Sequence, residues 1–251
     1  MKHYPFIIFY LFCNVFIAAF QASFWVHLVG FMAFCAVVVW GSFDIQLGYF
    51  VNSLTHKRTR IKEVALTFDD GPTEFTLKFL DLLKEKNIKA TFFCIGKQVE
   101  KYPETFRRII SEGHSIGNHT YSHANNTGFL PVPKMVEEIE KCDDVMVKIG
   151  NIKTDLYRPP FGVTNPNIAK AIKKNHKKSI GWNVRSLDTV INDRKKIVKR
   201  ITGNIKKGSV ILLHDTSEKT YSVLTDLLLF LEQEKYTTFT IESMIKSKNN
   251  D

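Results

Sequence analysis

Charge is almost absent from the first fifty residues. Between Met1 and Val51 only Lys2 and Asp44 are ionised at neutral pH, which excludes an ordinary solvated surface there. Cysteine is scarce: of four, Cys13 and Cys35 lie in this uncharged stretch, Cys94 in an apolar strand and Cys142 in a helical segment. No C-x-x-C spacing occurs, so neither a disulfide framework nor a thiolate zinc site is expected. No internal repeat or low-complexity linker appears, so neither a solenoid nor a chain of small modules is expected. Basic residues outnumber acidic ones by 35 to 25, a net charge of +10. The lysines nevertheless alternate with acids, as in Lys78, Lys84, Glu85 and Lys86, and no RNA-binding aromatic motif or zinc-finger spacing accompanies them. Nucleic acid is therefore not an expected partner; a solvated basic surface with attraction for anionic lipid or glycan is.

What is present in place of charge is length of apolar chain. Phe6 to Phe20 and Phe24 to Trp40 are apolar apart from Asn14, Gln21, Ser23 and His27, and together they exceed the ~20 residues that one spanning helix needs. Two spans turning about Gln21-Ala22-Ser23 are expected, because a signal peptide would end its apolar core after ~7–15 residues at a small-residue cleavage site. Trp25, Trp40, Tyr49 and Phe50 suit an interfacial aromatic belt. The basic stretch His56 to Lys62 reads as a cytoplasmic flank, whereas a single span with Lys2 inside would put the following domain outside; both orientations stay open. The expected organisation is a membrane anchor at 1–51 in contact with lipid, a basic linker at 52–63, one soluble domain at 64–245 and a polar tail at 246–251.

The soluble part alternates strand-like and helix-like segments. Strands are predicted at Val64 to Phe68, Ala90 to Gly96, Ser115-Ile116, Leu156 to Arg158, Lys178 to Val184, Ser209 to Leu213 and Thr237 to Ile241. Amphipathic helices are predicted between them, including Phe75 to Lys86, Pro103 to Glu112, Val132 to Ile149 and Glu218 to Glu234. About seven βα units imply an α/β fold with a parallel sheet that closes, or nearly closes, into a barrel.

Polar clusters stand at the ends of these strands, where α/β folds place their chemistry. The first strand ends in Asp69-Asp70-Gly71-Pro72, and neighbouring strand residues point to opposite sides, so the two carboxylates need not share a role. Gly117 to His123 carries His119 and His123 at i and i+4, one face of a helical turn, a spacing used to grip divalent ions. Two imidazoles and one Asp leave coordination positions open, as a catalytic site requires. Arg158 precedes Pro159 and Pro160 on a stiff loop, and its planar fork can pin a carboxylate. Gly181 to Asp188 ends in a polar loop, and Val210 to Leu213 is an apolar strand ending in His214. His114 reads as structural.

Thr-Phe-Asp-Asp-Gly, His-Thr-Tyr-Ser-His, Arg-Pro-Pro-Phe-Gly, Trp182 to Asp188 and Leu-Leu-His-Asp follow in an order and spacing that resemble the polysaccharide deacetylase family, the NodB-type domain of carbohydrate esterase family 4. The resemblance spans about Val64 to Ile245. It leaves the membrane segment outside and implies a deformed (β/α) barrel and metal-dependent removal of an acetyl group from an N-acetylated sugar. Peptidoglycan or another N-acetylhexosamine glycan is the expected substrate, in part because a membrane tether suits a polymer outside the cell, so the domain is expected to face the periplasm or cell exterior. By the same resemblance Asp69 is the general base, and Asp70, His119 and His123 hold one divalent ion, zinc by default with cobalt or nickel as alternatives. Arg158 holds the base, Asp188 orients His214, and His214 is the general acid. Leu212 matches the wall of the acetyl pocket, with Pro159, Phe161 and Trp182 also on the substrate side. The family often has Asp and Trp where this chain has Arg185 and Thr189. Two other classes remain: a deacetylase of a small or lipid-linked substrate, and an inactive glycan-binding module.

Overall fold

In the computed structural model, which describes residues 2–19 and 23–248, the apolar start of the chain forms two helices, α1 (His3–Ala19) and α2 (Phe24–Phe43). They pack through Phe34, whose ring stacks on Phe6 and Tyr10 at centroid distances of 5.5 and 4.3 Å. His27 Nδ1 and Asn14 Oδ1, the polar interruptions of the two runs, meet at 3.3 Å. By length and composition α2 can cross a membrane, while α1 is a shorter apolar helix. Gln21 and Ala22 of the expected turn lie outside the described residues.

The base of this hairpin is built into the domain that follows. The Lys2 amide donates to the Tyr49 carbonyl at 3.1 Å. The Tyr49 ring lies so close to Gly41 of α2 that a side chain there would overlap it. Tyr49 and Phe50, expected in an interfacial belt, are instead core residues at 5% and 3% exposure, because the chain folds back after Asp44 and buries them against the helices Val132–Gly150 and Pro166–Lys174. Trp25 and Trp40 remain exposed on α2.

The rest of the described chain runs β1 (Glu63–Asp69), α3 (Thr76–Glu85), β2 (Thr91–Cys94), α4 (Gly96–Lys101), α5 (Pro103–Ser111), β3 (Ser115–Asn118), α6 (Val132–Gly150), β4 (Leu156–Tyr157), α7 (Pro166–Lys174) and β5 (Lys178–Ser179). It continues with β6 (Val184–Arg185), α8 (Arg194–Thr202), β7 (Ser209–His214), α9 (Glu218–Gln233), β8 (Thr237–Thr238) and α10 (Ile241–Lys248). The strands pair in parallel in the order β5-β4-β3-β2-β1-β7-β6, with β8 on β1, a deformed β/α barrel open between β5 and β6.

The period of two explains why these strands are apolar throughout. Val64, Leu66 and Phe68 of β1, with Ile211 and Leu213 of β7, pack outward on Phe79, Leu80 and Leu83 of α3 and on Phe106 and Ile109 of α5. Ala65, Phe93, Val210 and Leu212 face inward to a second core with Leu156, Ile180 and Trp182. A parallel sheet covered on both faces needs apolar residues at both parities.

The opening has a local cause. Lys178 to Val184, expected as one strand, splits because the Ile180 and Gly181 carbonyls accept hydrogen bonds from the Arg158 side chain instead of from a neighbouring strand. The basic segment expected as a linker enters this gap: the Leu54 amide bonds the Ser179 carbonyl, the Gly181 amide the Leu54 carbonyl and the Lys57 amide the Gly208 carbonyl, each at 2.8–2.9 Å. Ile45, 3% exposed, fills the same gap against Gly181. At the far end Ile241 starts a helix rather than ending a strand, because Ile241 and Met244 are drawn into the inner core; of the expected tail, residues 246–248 continue α10 and 249–251 lie outside the described residues.

Candidate functional site

Asp69 is the last residue of β1 and shares the inward parity of Ala65 and Thr67, so its carboxylate lies at the mouth of the barrel. Asp70 has the opposite parity, but its φ of 74° ends the strand and swings its carboxylate back to the same mouth. There Asp70 Oδ1 lies 3.5 Å from Nε2 of both His119 and His123, and Asp70 Oδ2 lies 4.0 Å from His214 Nε2.

The two imidazoles converge by a different route from the helical turn expected from their spacing. His119 directly follows β3, and the chain then passes through left-handed residues Thr120 (φ 67°) and His123 (φ 48°). The turn is fastened by Asn118, whose side-chain oxygen accepts from the Thr120 amide, and by Glu138, which accepts from the amide and hydroxyl of Ser122. His119 Nδ1 donates to the Arg158 carbonyl at 2.7 Å, which fixes the tautomer and leaves Nε2 free to face Asp70. Burial, and secondarily the charge of His119, pushes His123 down to about 4, so it is neutral at pH 7 as a ligand must be.

One donor atom from each of Asp70, His119 and His123 lies within 4.8 Å of the others. Asp70 Oδ1 is buried and has no hydrogen-bond partner. A buried unpartnered carboxylate oxygen facing two imidazole nitrogens fits a divalent cation, since nitrogen and oxygen donors of this kind hold borderline metals.

On one side of the cluster Asp69 Oδ1 accepts from Arg158 Nη1 at 2.7 Å, while Asp69 Oδ2 faces His119 Nε2 at 3.8 Å. Arg158 is fully buried. It also donates to Thr67 Oγ1, Ile180 O and Gly181 O, and its guanidinium lies 4.0 Å from the Phe93 ring centre and 5.5 Å from that of Trp182. On the other side His214 Nδ1 donates to Asp188 Oδ1 at 2.8 Å. Burial opposes the charged form of His214, but the hydrogen bond and charge of Asp188, joined by Asp69 and Asp70, outweigh it and raise the imidazole to about 9.

Sequence reasoning missed the residues that hold the holders. Ser186 and Thr220 donate to the two oxygens of Asp188, and the His214 amide donates to Oδ2. The sign available was Ser186 two residues before Asp188, a spacing that favours local side-chain bonding. Asp215 is fully buried beneath the Asp70-Gly71 turn, bonded by Thr76 and, through its carbonyl, by Thr73; burial pushes it up to about 7. His114 is buried and accepts from the Ala90 amide, as a structural imidazole should. Of the residues expected on the substrate side, Pro159 is buried and Leu212 lies inside the barrel below His214. Trp182 is 6% exposed and packs beneath Gly162 and on Arg158, so it backs the site rather than lining an open groove. Phe161, 48% exposed, presents its ring 4.7 Å from His123.

The polysaccharide deacetylase family profile matches residues 56–180. A peptidoglycan-N-acetylglucosamine deacetylase of Bacillus cereus is 31% identical over 196 residues, 75% of this chain and 90% of that protein. The chain belongs to the polysaccharide deacetylase family. A second Bacillus cereus protein of the same name is 41% identical over 155 residues, 61% of this family member but 56% of the relative, so the present chain spans little more than half of that protein. The crystal structure of a peptidoglycan N-acetylglucosamine deacetylase in complex with 4-naphthalen-1-yl-N-oxidanyl-benzamide superposes with a TM-score of 0.71 at 34% identity, over 76% of this deacetylase-family chain and 91% of the other.

Proposed function

We propose that this protein hydrolyses the acetamido group of N-acetylhexosamine residues in a glycan, peptidoglycan or a close relative, giving acetate and a free amine. What carries the reading is the pair of opposed groups across the Asp-His-His cluster: a carboxylate pinned by a buried Arg on one side and an imidazole raised to about 9 on the other. The names of the relatives at 31–41% identity support the substrate class.

In this reading Asp70, His119 and His123 hold one divalent ion, zinc by preference. Such an ion, when bound, polarises the amide carbonyl and acidifies water. Asp69, oriented by Arg158, takes the proton of the attacking water. His214, protonated at neutral pH and steered by Asp188, delivers a proton to the leaving nitrogen, without which an amine is a poor leaving group. Leu212 walls the acetyl pocket, Pro159 stiffens the loop and Phe161 offers a face for the sugar ring. A module that only bound glycan would need neither Asp69 nor His214. The catalytic domain, 64–245, is carried on 1–51 as a membrane anchor and faces the cell exterior.

The test is metal content together with acetate release from N-acetylated chitooligosaccharide and from a muropeptide. One divalent ion per chain and metal-dependent acetate release are expected; metal-replete protein that frees no acetate from either would overturn the reading. A C-terminal reporter active only outside the cytoplasm is expected, and a cytoplasmic signal would overturn the outward orientation.

A further inference from the structure

The hairpin and the mouth of the barrel are joined directly. At the end of α2, the Ser42 carbonyl accepts from the Thr164 amide at 2.9 Å. Thr164 lies in the loop after β4, the same loop that carries Phe161 to within 4.7 Å of His123. The neighbouring rim loop, residues 124–130, follows His123 and is held to this one: Asn165 Nδ2 donates to Gly128 O at 2.5 Å and Asn167 Nδ2 to Leu130 O at 3.2 Å. A Cβ on Gly128 would touch Val163 at 3.4 Å. The rim therefore sits at the level where α2 meets the domain.

Phe129 projects from this tethered loop at 87% exposure, the highest of any large apolar side chain outside or inside the hairpin among the described residues. A single exposed Phe is ordinary on a protein surface. This one is held outward by a loop whose backbone is fastened on both sides of it, through the Gly128 and Leu130 carbonyls, and the domain end of α2 carries exposed aromatics of its own in Trp40 (60%) and Phe43 (65%). Aromatic rings at such a level are the side chains that favour the headgroup region of a bilayer.

We propose that the Phe129 rim rests in the bilayer interface, so that the site opens at the membrane surface and takes N-acetylhexosamine glycan held there on a lipid anchor in preference to free polymer. This rests on the membrane anchoring and deacetylase readings above. The occupant is a lipid surface because the rim is fastened, through Thr164 and Ser42, to the end of an apolar helix long enough to cross one.

The experiment uses the full chain in vesicles of phosphatidylglycerol and phosphatidylcholine. Phe129→Trp should acquire an emission component quenched by lipids brominated near the headgroup, absent from the parent chain, whose own Trp residues provide the baseline. No added quenching would overturn the proposal whatever the activity. In parallel, acetate release is measured from one N-acetylated disaccharide supplied free or coupled to a polyprenyl lipid in the vesicles. The ratio of kcat/KM for anchored over free substrate should exceed tenfold and fall at least threefold in Phe129→Ser, with Val190→Ser on a different exposed loop as the control. Equal ratios in parent and Phe129→Ser would overturn the substrate assignment. Lack of acetate from both forms alongside clear quenching would overturn the deacetylase reading and leave the membrane contact supported.

Discussion

Replacing Arg158 with Met should come close to unfolding the domain. The guanidinium is fully buried and makes four hydrogen bonds, to Asp69, Thr67, Ile180 and Gly181. Met restores most of the stem's volume but none of the donors. Removing one partner of a buried ion pair costs roughly 3–5 kcal/mol, because the remaining charge is left uncompensated. The Ile180 and Gly181 carbonyls add about 1 kcal/mol each if nothing replaces the bonds. The sum, about 5–7 kcal/mol, is comparable to the whole stability of many domains. For a domain of this size it corresponds to a fall in Tm of roughly 10–28 °C. Thermal unfolding in detergent, followed by near-ultraviolet circular dichroism, reads it. The charge contribution is separated by Asp69→Asn/Arg158→Met, which removes the stranded carboxylate and should recover about 2–3 kcal/mol relative to Arg158→Met alone. A Tm within ~3 °C of the parent for Arg158→Met, or no recovery in the double variant, would refute the claim that Arg158 supports both the split strand and the base.

Asp70→Ala or His119→Ala should abolish bound divalent metal by elemental analysis while the far-ultraviolet spectrum is kept; full occupancy in either would remove that residue from the ligand set. Asp69→Asn should keep the metal and lower kcat by roughly 10²–10⁴, the range for one positioned proton-transfer group; loss of metal instead would show that the two carboxylates have been assigned the wrong way round. Because His214 is raised from 6.5 to about 9 in the folded protein, its contribution to stability is complete below pH 6.5 and lost as pH rises through about 9. Metal-free parent protein should therefore lose stability over that window relative to Asp188→Asn, and parallel pH profiles would contradict it. A chain beginning at Asp44 should fold without the hairpin, whereas one beginning at Thr55 discards the buried Ile45, Tyr49, Phe50 and Val51 and should melt well below it, since each such side chain is worth about 1.5–3 kcal/mol when buried. Equal melting temperatures would show that the segment adds nothing to the core.

The chemistry of this protein is legible along the chain because catalysis needs particular functional groups, and a β/α fold delivers them at strand ends that hydrophobic runs mark. Asp69, Asp70, His119, His123, Arg158, Asp188 and His214 stand in polar clusters that follow apolar runs, and their residue types mark them as candidates. The alternation of strands and helices gave the barrel by the same route, through periods of two and 3.6 that local geometry imposes. What the chain did not disclose depends on partners distant in sequence. Positive φ at Asp70, Thr120 and His123, which turns three donors toward one point, is imposed by the surrounding packing and has no glycine to announce it. The split at Ile180-Gly181 follows from a side chain at position 158 competing for backbone carbonyls, and a propensity read over Lys178 to Val184 contains no trace of it. Tyr49 and Phe50 look like interfacial aromatics until the chain folds back on Gly41 and α7, and Trp182 looks like a substrate-side residue until Arg158 is seen to lie against it. Aromatic and cationic side chains carry the same letters at a surface and in a core; which of the two they serve is decided only by what the tertiary structure brings against them.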